Sequence, residues 1–219
     1  MLFWIPVGLA CEPLLLSRFQ TPTEPPAERV IQTTTGSAGG ANYVGAQVTF
    51  RSSSSPRDWQ RVLEHPELQD EWHPKELGTE RVERIQGTDF YQRTGISVLG
   101  TFTIRRQLIP RIRWLEMNDQ ILHTCWYAGN VEEFREKVKA WDDGSPWQER
   151  GYGGWTVRAL AGGGSVVAYQ VWVNADMVPS SFVSWAVTRT LPKLLGAFDA
   201  RVAELALVAA GKAGSAPTP

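Results

Sequence analysis

The sequence contains three histidines and two cysteines among 219 residues, the side chains best suited to act as a base, a nucleophile or a metal ligand. His123 lies in a predicted strand close to Cys125, and a histidine–cysteine pair can serve as general base and nucleophile. Neighbouring residues of a strand point to opposite faces, and no third residue completes a triad. We therefore predict a structural role for His123.

Acidic and histidine side chains also cluster in one predicted loop. The cluster contains Glu64, His65, Glu67, Asp70 and His73. Its spacing matches none of the recognised patterns of zinc ligands, so we predict a solvated loop, with no metal and no other cofactor. The glycines of AGGGS at residues 161–165 are typical of a hairpin turn and not of a loop that holds phosphate.

Arginine is concentrated in two predicted strands. The positions are Arg105, Arg106, Arg111 and Arg113. Side chains alternate between the faces of a strand, so one residue of the first pair points into the domain and the other into solvent. We place Arg105 inside, where a carboxylate such as Asp89 or Glu116 would pair with it and form a polar anchor in an apolar cavity. The alternative is a surface cluster, which could touch anionic head groups.

The composition is that of a globular domain with an unusual number of tryptophans. Hydrophobic residues make up 42%, and 22 basic and 23 acidic side chains give a net charge of −1. This balance gives no reason to expect a nucleic-acid partner. Ten tryptophans suit a thick core or a cavity that a hydrophobic molecule enters. A protein-binding module with a tryptophan-rich interface is a further alternative.

The N-terminal segment, residues 1–28, differs from the rest of the chain. An apolar run ends at Cys11, and a stretch rich in proline, threonine and glutamate follows. The sequence VGLAC resembles the cleavage box of bacterial lipoproteins, although Pro6 interrupts the run and Gly8 replaces the usual leucine. A processed leader would place the domain in the periplasm or at a membrane, whereas an N-terminal arm packed on the domain fits a cytoplasmic protein. We expect Cys11 and Cys125 to be free thiols or small buried residues.

Most of the remaining chain has the pattern of strands. Strand-like sequence covers residues 29–35, 43–51, 80–86, 89–98, 100–109, 112–117, 120–129, 153–160 and 165–174. Turn sequences separate these runs, which is typical of an antiparallel sheet. After the second run, SSSSPRDWQRVLEH combines a serine cap, Pro56 in the first turn and apolar residues at helical spacing, which predicts a short helix. A further helical turn is predicted at residues 134–141.

The longest predicted element is a helix from about residue 179 to residue 209. Its apolar stripe contains Phe182, Ala186, Leu191, Leu194, Leu195, Phe198, Val202 and Leu205. Pro179 suits the first turn, whereas Pro192 removes an internal hydrogen bond. We interpret Pro192 from the residues alone as a kink that fits the helix to a curved sheet.

These elements predict an α+β helix-grip fold, in which a curved antiparallel sheet wraps around one long C-terminal helix. The predicted domain covers residues 29–209, and residues 210–219 are expected to be a disordered tail.

The order of the elements and several short motifs resemble the START (steroidogenic-acute-regulatory-related lipid transfer) domains of the SRPBCC superfamily. A strand pair containing GGW leads through a polar loop to an aliphatic–proline pair, Val178 and Pro179, and a second proline follows at Pro192. The resemblance implies an alternative role for Pro192, in which it loosens the helix to admit a ligand. Upstream, TFRSSSSPRDWQRVLEHPELQDEWHP is similar to the strand, helix and W-x-P loop near the start of these domains. The resemblance covers residues 29–207, although this chain lacks the glycines that usually precede the aliphatic–proline pair.

The resemblance implies a monomeric, non-catalytic carrier that binds a lipid or another hydrophobic small molecule between the sheet and the helix, with transient membrane contact. The predicted ligand-binding residues are Phe102, Ile104, Arg105, Trp126, Tyr169 and Val171 from strands, and Phe182, Ala186, Thr190, Leu194 and Phe198 from the helix. The strand residues depend on alternation, and a register shifted by one residue would reverse their face.

The alternative is an enzyme on the same fold, resembling polyketide cyclases and aromatases. In that case the cavity positions a polyketide, and Arg105, Tyr91 and His123 assist proton transfer. Because one architecture hosts both functions, the fold alone does not choose between them.

Overall fold

The structure, a computed structural model, describes residues 24–38, 40–68, 79–98, 102–176 and 179–214. The strands are β1 (Val30–Ala38), β2 (Ala41–Ser52), β3 (Thr79–Gln86), β4 (Asp89–Val98), β5 (Phe102–Leu108), β6 (Pro110–Met117), β7 (Ile121–Ala128), β8 (Gly151–Ala159) and β9 (Ser165–Asn174). The helices are α1 (Pro56–Leu63), α2 (Arg135–Val138) and α3 (Ser180–Gly214), with 3-10 turns at Pro66–Leu68 and Val131–Glu133.

The described strands form one antiparallel sheet in the order β1-β2-β9-β8-β7-β6-β4-β3, with β5 paired to β4. The first hairpin therefore lies beside the last one, and β2 pairs with β9 from Tyr43 to Ser52. This pairing brings α3, which follows β9, back across the sheet. The prediction of a curved antiparallel sheet around a long C-terminal helix is confirmed.

Helix α1 begins where the sequence predicts it. The Ser55 side chain accepts a hydrogen bond from the Asp58 backbone N–H, and the Asp58 carboxylate accepts one from the Ser55 backbone N–H, which forms a capping box. Pro56 occupies the first turn, where its missing N–H costs no helical hydrogen bond. The side chains of Trp59, Val62 and Leu63 share the buried side of the helix.

Helix α3 starts after Pro179, whose carbonyl oxygen accepts hydrogen bonds from the backbone N–H groups of Phe182 (2.9 Å) and Val183 (3.2 Å). The helix continues through Pro192 and ends at Gly214, beyond the predicted end near residue 209. We call the face of the sheet that α3 covers the inner face, and the opposite one the outer face.

The main core lies between the inner face, α1 and α3. Its buried members are Ala46, Val48, Phe50, Trp59, Val62, Leu63, Leu122, Trp155, Val157, Val167, Leu191, Leu195, Phe198 and Val202. Burial of each large apolar side chain contributes roughly 1.5–3 kcal/mol, so this contact holds the helix on the sheet.

A second core cluster lies on the outer face, where the segment between β7 and β8 packs on β4. It contains Tyr91, Ile109, Val131, Phe134 and Val138. The predicted helical turn at residues 134–141 corresponds to α2 in this segment. The segment is thus held by its own apolar contacts, and its last residues continue towards the inner face.

Cys125 is buried and disulfide-bonded, so the expectation of a free thiol is wrong at this position. The two-residue period of a strand places Cys125 on the same face as His123, so the argument that the two side chains point to opposite faces is wrong. Cys11, the resemblance to a lipoprotein leader and residues 1–23 as a whole lie outside the described residues. No helix of the described chain is long and apolar enough to cross a membrane.

Candidate ligand-binding cavity

A cavity of about 660 Å³ separates part of α3 from the inner face of the sheet. Its helical wall consists of Phe182, Val183, Ala186, Val187, Thr190, Leu191, Leu194, Leu195 and Phe198. Residues three or four positions apart share one side of a helix, so this wall is a continuous stripe over the first half of α3. The stripe is apolar except for Thr190, whose Oγ1 donates to the Ala186 carbonyl oxygen at 2.8 Å.

The strand wall is built by alternation along the inner face. It includes Trp126 of β7, Trp155 of β8, and Tyr169 and Val171 of β9. The Trp155 ring lies 4.4 Å from the Tyr169 ring and 5.3 Å from the Phe198 ring, measured between centroids. These aromatic contacts join the sheet to the helix at one end of the cavity.

Tyr169 places a neutral hydroxyl in this apolar wall. Burial raises the pKa of Tyr169 to about 12, partly offset by a hydrogen bond from the Trp126 indole. Since an indole N–H only donates, the Tyr169 oxygen accepts this bond. The hydroxyl therefore stays protonated at neutral pH.

The single arginine pair of β5 is divided between the two faces. Arg106 lines the cavity together with Thr94, its cross-strand partner on β4. Arg105 is half-exposed, is absent from the wall, and its Nε donates to Glu80 Oε1 at 2.9 Å. The alternation predicted for the pair is present, but Arg106 is the inward residue and the assignment of Arg105 to the cavity is wrong by one position.

The carboxylates suggested as partners of an inward arginine are engaged elsewhere. Asp89 Oδ1 accepts from Arg111 Nε at 2.9 Å, and Glu116 lies opposite His123 on the neighbouring strand. Arg106 Nη1 donates to the Arg105 carbonyl oxygen at 2.8 Å. Within the described part of the chain, no carboxylate oxygen lies within 4.0 Å of the Arg106 guanidinium. The same wall contains Glu149, Arg150 and Asp176, but no ion pair joins the Arg106 guanidinium to a carboxylate of the described residues.

Eight of the predicted ligand-binding residues lie on the cavity wall. These are Trp126, Tyr169, Val171, Phe182, Ala186, Thr190, Leu194 and Phe198. The backbones of Phe102 and Ile104 belong to β5, but their side chains lie outside the described part.

One part of the wall had no counterpart in the prediction. Residues Trp147 to Arg150, which precede β8, close one side of the cavity. The Gln148 backbone N–H donates to the Gln107 carbonyl oxygen at 2.7 Å, which fixes this segment beside β5. In the sequence, two tryptophans in an otherwise polar stretch, Trp141 and Trp147, could have indicated that this segment packs against the domain.

The three side chains required by the cyclase alternative are not brought together. The Tyr91 hydroxyl lies 2.7 Å from Gln107 Oε1 and 2.8 Å from the Trp141 carbonyl oxygen, on the outer face. His123 also belongs to the outer face, and burial lowers its pKa, a shift that Glu116 partly opposes. Neither residue lines the cavity, and Arg105 does not line it either.

In the described part of the predicted loop cluster, the side chain of Glu67 contacts those of His65 and Arg84. His65 Nδ1 lies 3.3 Å from Glu67 Oε1, and the Glu67 carboxylate also accepts from Arg84 Nη2 at 2.9 Å. Across the described residues, no group of three His, Cys, Asp or Glu side chains is placed to hold a metal ion. Asp70 and His73 lie outside these residues.

Asp199 anchors the second half of α3 to the sheet. Ser52 Oγ donates to Asp199 Oδ1 at 2.6 Å, and Trp59 Nε1 donates to Ser52 Oγ at 3.2 Å. Burial raises the pKa of the Asp199 carboxyl, and the bond from Ser52 opposes this shift. The helix is therefore fixed beyond Pro192, while the cavity lies mostly under the residues that precede it.

No protein-family model matches the sequence, and no curated protein matches it. Among solved structures, human StAR-related lipid transfer protein 5 is similar with a TM-score of 0.60 and 12% identity, over 90% of this chain and 94% of that one. A STAR-related lipid transfer protein of Xanthomonas axonopodis is similar with a TM-score of 0.54 and 16% identity, over 78% of this chain and 98% of that one. The di-domain ARO/CYC BexL has a TM-score of 0.46 and 9% identity, over 73% of this chain and 48% of that one.

The two lipid transfer proteins contain the same sheet and long C-terminal helix at a low level of sequence identity. Such a similarity defines architecture and leaves the ligand open. With its nine described strands, its covering helix and the cavity between them, this chain has a START-like helix-grip fold.

Proposed function

We propose that the protein binds a lipid or another hydrophobic small molecule in the cavity and carries it without chemical change. The observation that supports this most is the cavity itself, about 660 Å³ in volume and lined for the larger part by aromatic and aliphatic side chains, with a polar minority that includes Arg106, Glu149, Arg150 and Asp176. Ligand pockets of roughly 300–1,000 Å³ with this type of wall are typical of small-molecule sites. The lipid transfer proteins of the same fold support the proposal.

The test is native mass spectrometry of the full chain, followed by organic extraction and lipid analysis. We expect a co-purified hydrophobic ligand at about one molecule per chain, or uptake of one molecule from a mixture of sterols, phospholipids and fatty acids. An empty protein that takes up none of them would contradict the carrier proposal, and polyketide substrates would then be the next class to examine.

Arg106 is proposed to orient the ligand by its polar end. An arginine in a largely apolar wall, with no carboxylate partner among the described residues, favours a ligand with an anionic group such as a carboxylate or phosphate. Thr94 and Gln92 lie on the same wall and add neutral hydrogen-bonding groups. The ligand's apolar part would then extend towards Trp155 and Phe198.

Replacing Arg106 with glutamine is expected to weaken the binding of a long-chain fatty acid by roughly tenfold or more, since a hydrogen bond to a charged group contributes about 1.5–3 kcal/mol. Isothermal titration calorimetry with oleate measures this change. The matched control is Arg105→Gln, which removes a neighbouring charge that faces Glu80 and not the cavity. Equal losses in the two variants would show that Arg106 has no special role in the cavity.

Pro192 is proposed to let the first half of α3 move when the ligand enters. It has no N–H to donate to the Thr188 carbonyl oxygen, four residues earlier. Replacing Pro192 with alanine restores this donor, so we expect ligand release to become several-fold slower while the amount bound at equilibrium changes little. Stopped-flow measurement of transfer of a fluorescent fatty acid to vesicles gives the rate. An unchanged rate would mean that Pro192 only shapes the helix.

A further inference from the structure

The exposed side of α3 carries an aromatic and basic stripe above the cavity. Trp185, Arg189 and Lys193 follow one another at four-residue spacing, and all three are exposed. Residues at this spacing share one side of a helix. We call these three residues the Trp185 stripe.

Trp185 is unusual among the tryptophans whose side chains are described. Its side chain is 36% exposed, whereas Trp59, Trp155 and Trp172 are buried. The Trp185 ring lies 5.6 Å from the ring of Phe182, and the Arg189 guanidinium carbon lies 5.4 Å from its centroid. A large aromatic ring is therefore held at the surface beside a cation.

The charge around the stripe is positive. The sequence from Ser180 to Phe198 contains Arg189 and Lys193 and no aspartate or glutamate, in a chain whose net charge is −1. Arg29 adds a third exposed cation, since its Nη1 donates to the Pro192 carbonyl oxygen at 2.8 Å.

The acidic groups at the two ends of this region are turned away from the stripe. Asp199 accepts from Ser52 on the sheet side of the helix and also interacts electrostatically with Arg29, so Asp199 compensates Arg29 and not the stripe residues. Asp176 accepts from the backbone N–H of Asn42 at 2.9 Å and from Asn174 Nδ2 at 3.0 Å. The positive charge of the stripe is thus left to an external partner.

The same helical turns that carry the stripe also form the cavity wall. Phe182, Ala186 and Thr190 face the cavity, and the stripe residues stand between them on the outer side. Any surface that contacts the stripe therefore contacts the segment that separates the cavity from solvent.

We propose that the Trp185 stripe docks the protein on the surface of a lipid bilayer that contains anionic lipids. Tryptophan prefers the boundary between head groups and acyl chains, and lysine and arginine are attracted to anionic head groups. One exposed aromatic ring with two cations is far smaller than the roughly 800 Å² per partner of a stable protein interface, which favours a membrane over a protein partner. This inference rests on the proposed function, because docking there would place the cavity next to its source of ligand.

The test is co-sedimentation of the full chain with vesicles of phosphatidylcholine alone or mixed with phosphatidylglycerol. We expect binding only to the anionic vesicles, and roughly a tenfold or larger loss of affinity in the double variant Arg189→Ala/Lys193→Ala. Trp185→Ser is expected to weaken binding as well. The matched control, Arg113→Ala/Lys139→Ala, removes two exposed cations elsewhere and should bind like the wild type.

Two results would overturn the proposal: no preference of the wild type for anionic vesicles, or equal losses in the stripe and control variants. Ligand content is measured separately by native mass spectrometry in the absence of vesicles. Stripe variants that retain their ligand and lose vesicle binding would support docking through the stripe. An empty wild-type protein that still binds anionic vesicles through the stripe would contradict the carrier function alone.

Discussion

Replacing Trp59 with alanine is expected to lower the free energy of unfolding by about 3–5 kcal/mol, the usual cost of deleting a buried tryptophan side chain. The Trp59 side chain is fully buried, with its ring centroid 6.0 Å from that of Phe50 and 5.3 Å from that of Trp155. Its Nε1 also donates to Ser52 Oγ, which in turn holds Asp199 of α3. The variant thus leaves a void between α1, the sheet and α3, and removes the hydrogen bond from Trp59 to Ser52.

Urea denaturation followed by circular dichroism measures this loss. The matched control is Trp185→Ala, which deletes the same side chain from a partly exposed position on α3 and should lower stability by about 1 kcal/mol or less. If both variants lost similar stability, the contact of α1 with α3 would not be the main support of the helix.

Replacing Ala186 with tryptophan is expected to reduce ligand occupancy by about tenfold or more, which corresponds to about 1.4 kcal/mol. Ala186 is buried and lies on the cavity wall between Phe182 and Thr190. An indole attached there would occupy space that the ligand needs. Because the side chain enters a void and not a packed core, the strain of about 1–3 kcal/mol that usually accompanies overpacking should be largely avoided.

Native mass spectrometry gives the ratio of occupied to empty protein, and thermal unfolding shows whether the fold is retained. Ala200→Trp is the matched control, since Ala200 is an exposed residue of the same helix that does not line the cavity. A folded Ala186→Trp protein that still carried a full complement of ligand would place the ligand outside this cavity.

Much of the fold was predictable because it depends on short-range chemistry. The capping box at Ser55 and Asp58, and the glycine turn between β8 and β9, are each encoded within a few residues. Gly163 and Gly164 have positive φ angles of 89° and 73°, which other residues rarely adopt. The four-residue spacing of Phe182, Ala186 and Thr190 likewise placed the helical wall correctly.

The strand wall was predictable only where the register was simple. Tyr169 and Val171 follow a regular alternation in β9, and the structure places both on the cavity wall. In β5 the same rule required knowing which residue of β4 lies opposite each arginine, and the structure pairs Thr94 with Arg106 and Gly95 with Arg105. Alternation determines that the two arginines face apart, but only pairing with a neighbouring strand determines which one faces inward.

The sequence by itself therefore determined the helix-grip fold, the helix that covers the sheet and most of the apolar cavity wall, because these depend on local periodicity and on turn and cap residues. Only the tertiary structure decided that Arg106 enters the cavity, that the segment from Trp147 to Arg150 closes one side, and that Tyr91 is held on the outer face. Each of these placements depends on contacts between residues far apart in the chain, such as the bridge between Gln107 and Trp147. No short stretch of sequence contains both partners of such a contact, so the polar part of the site is fixed by the fold as a whole.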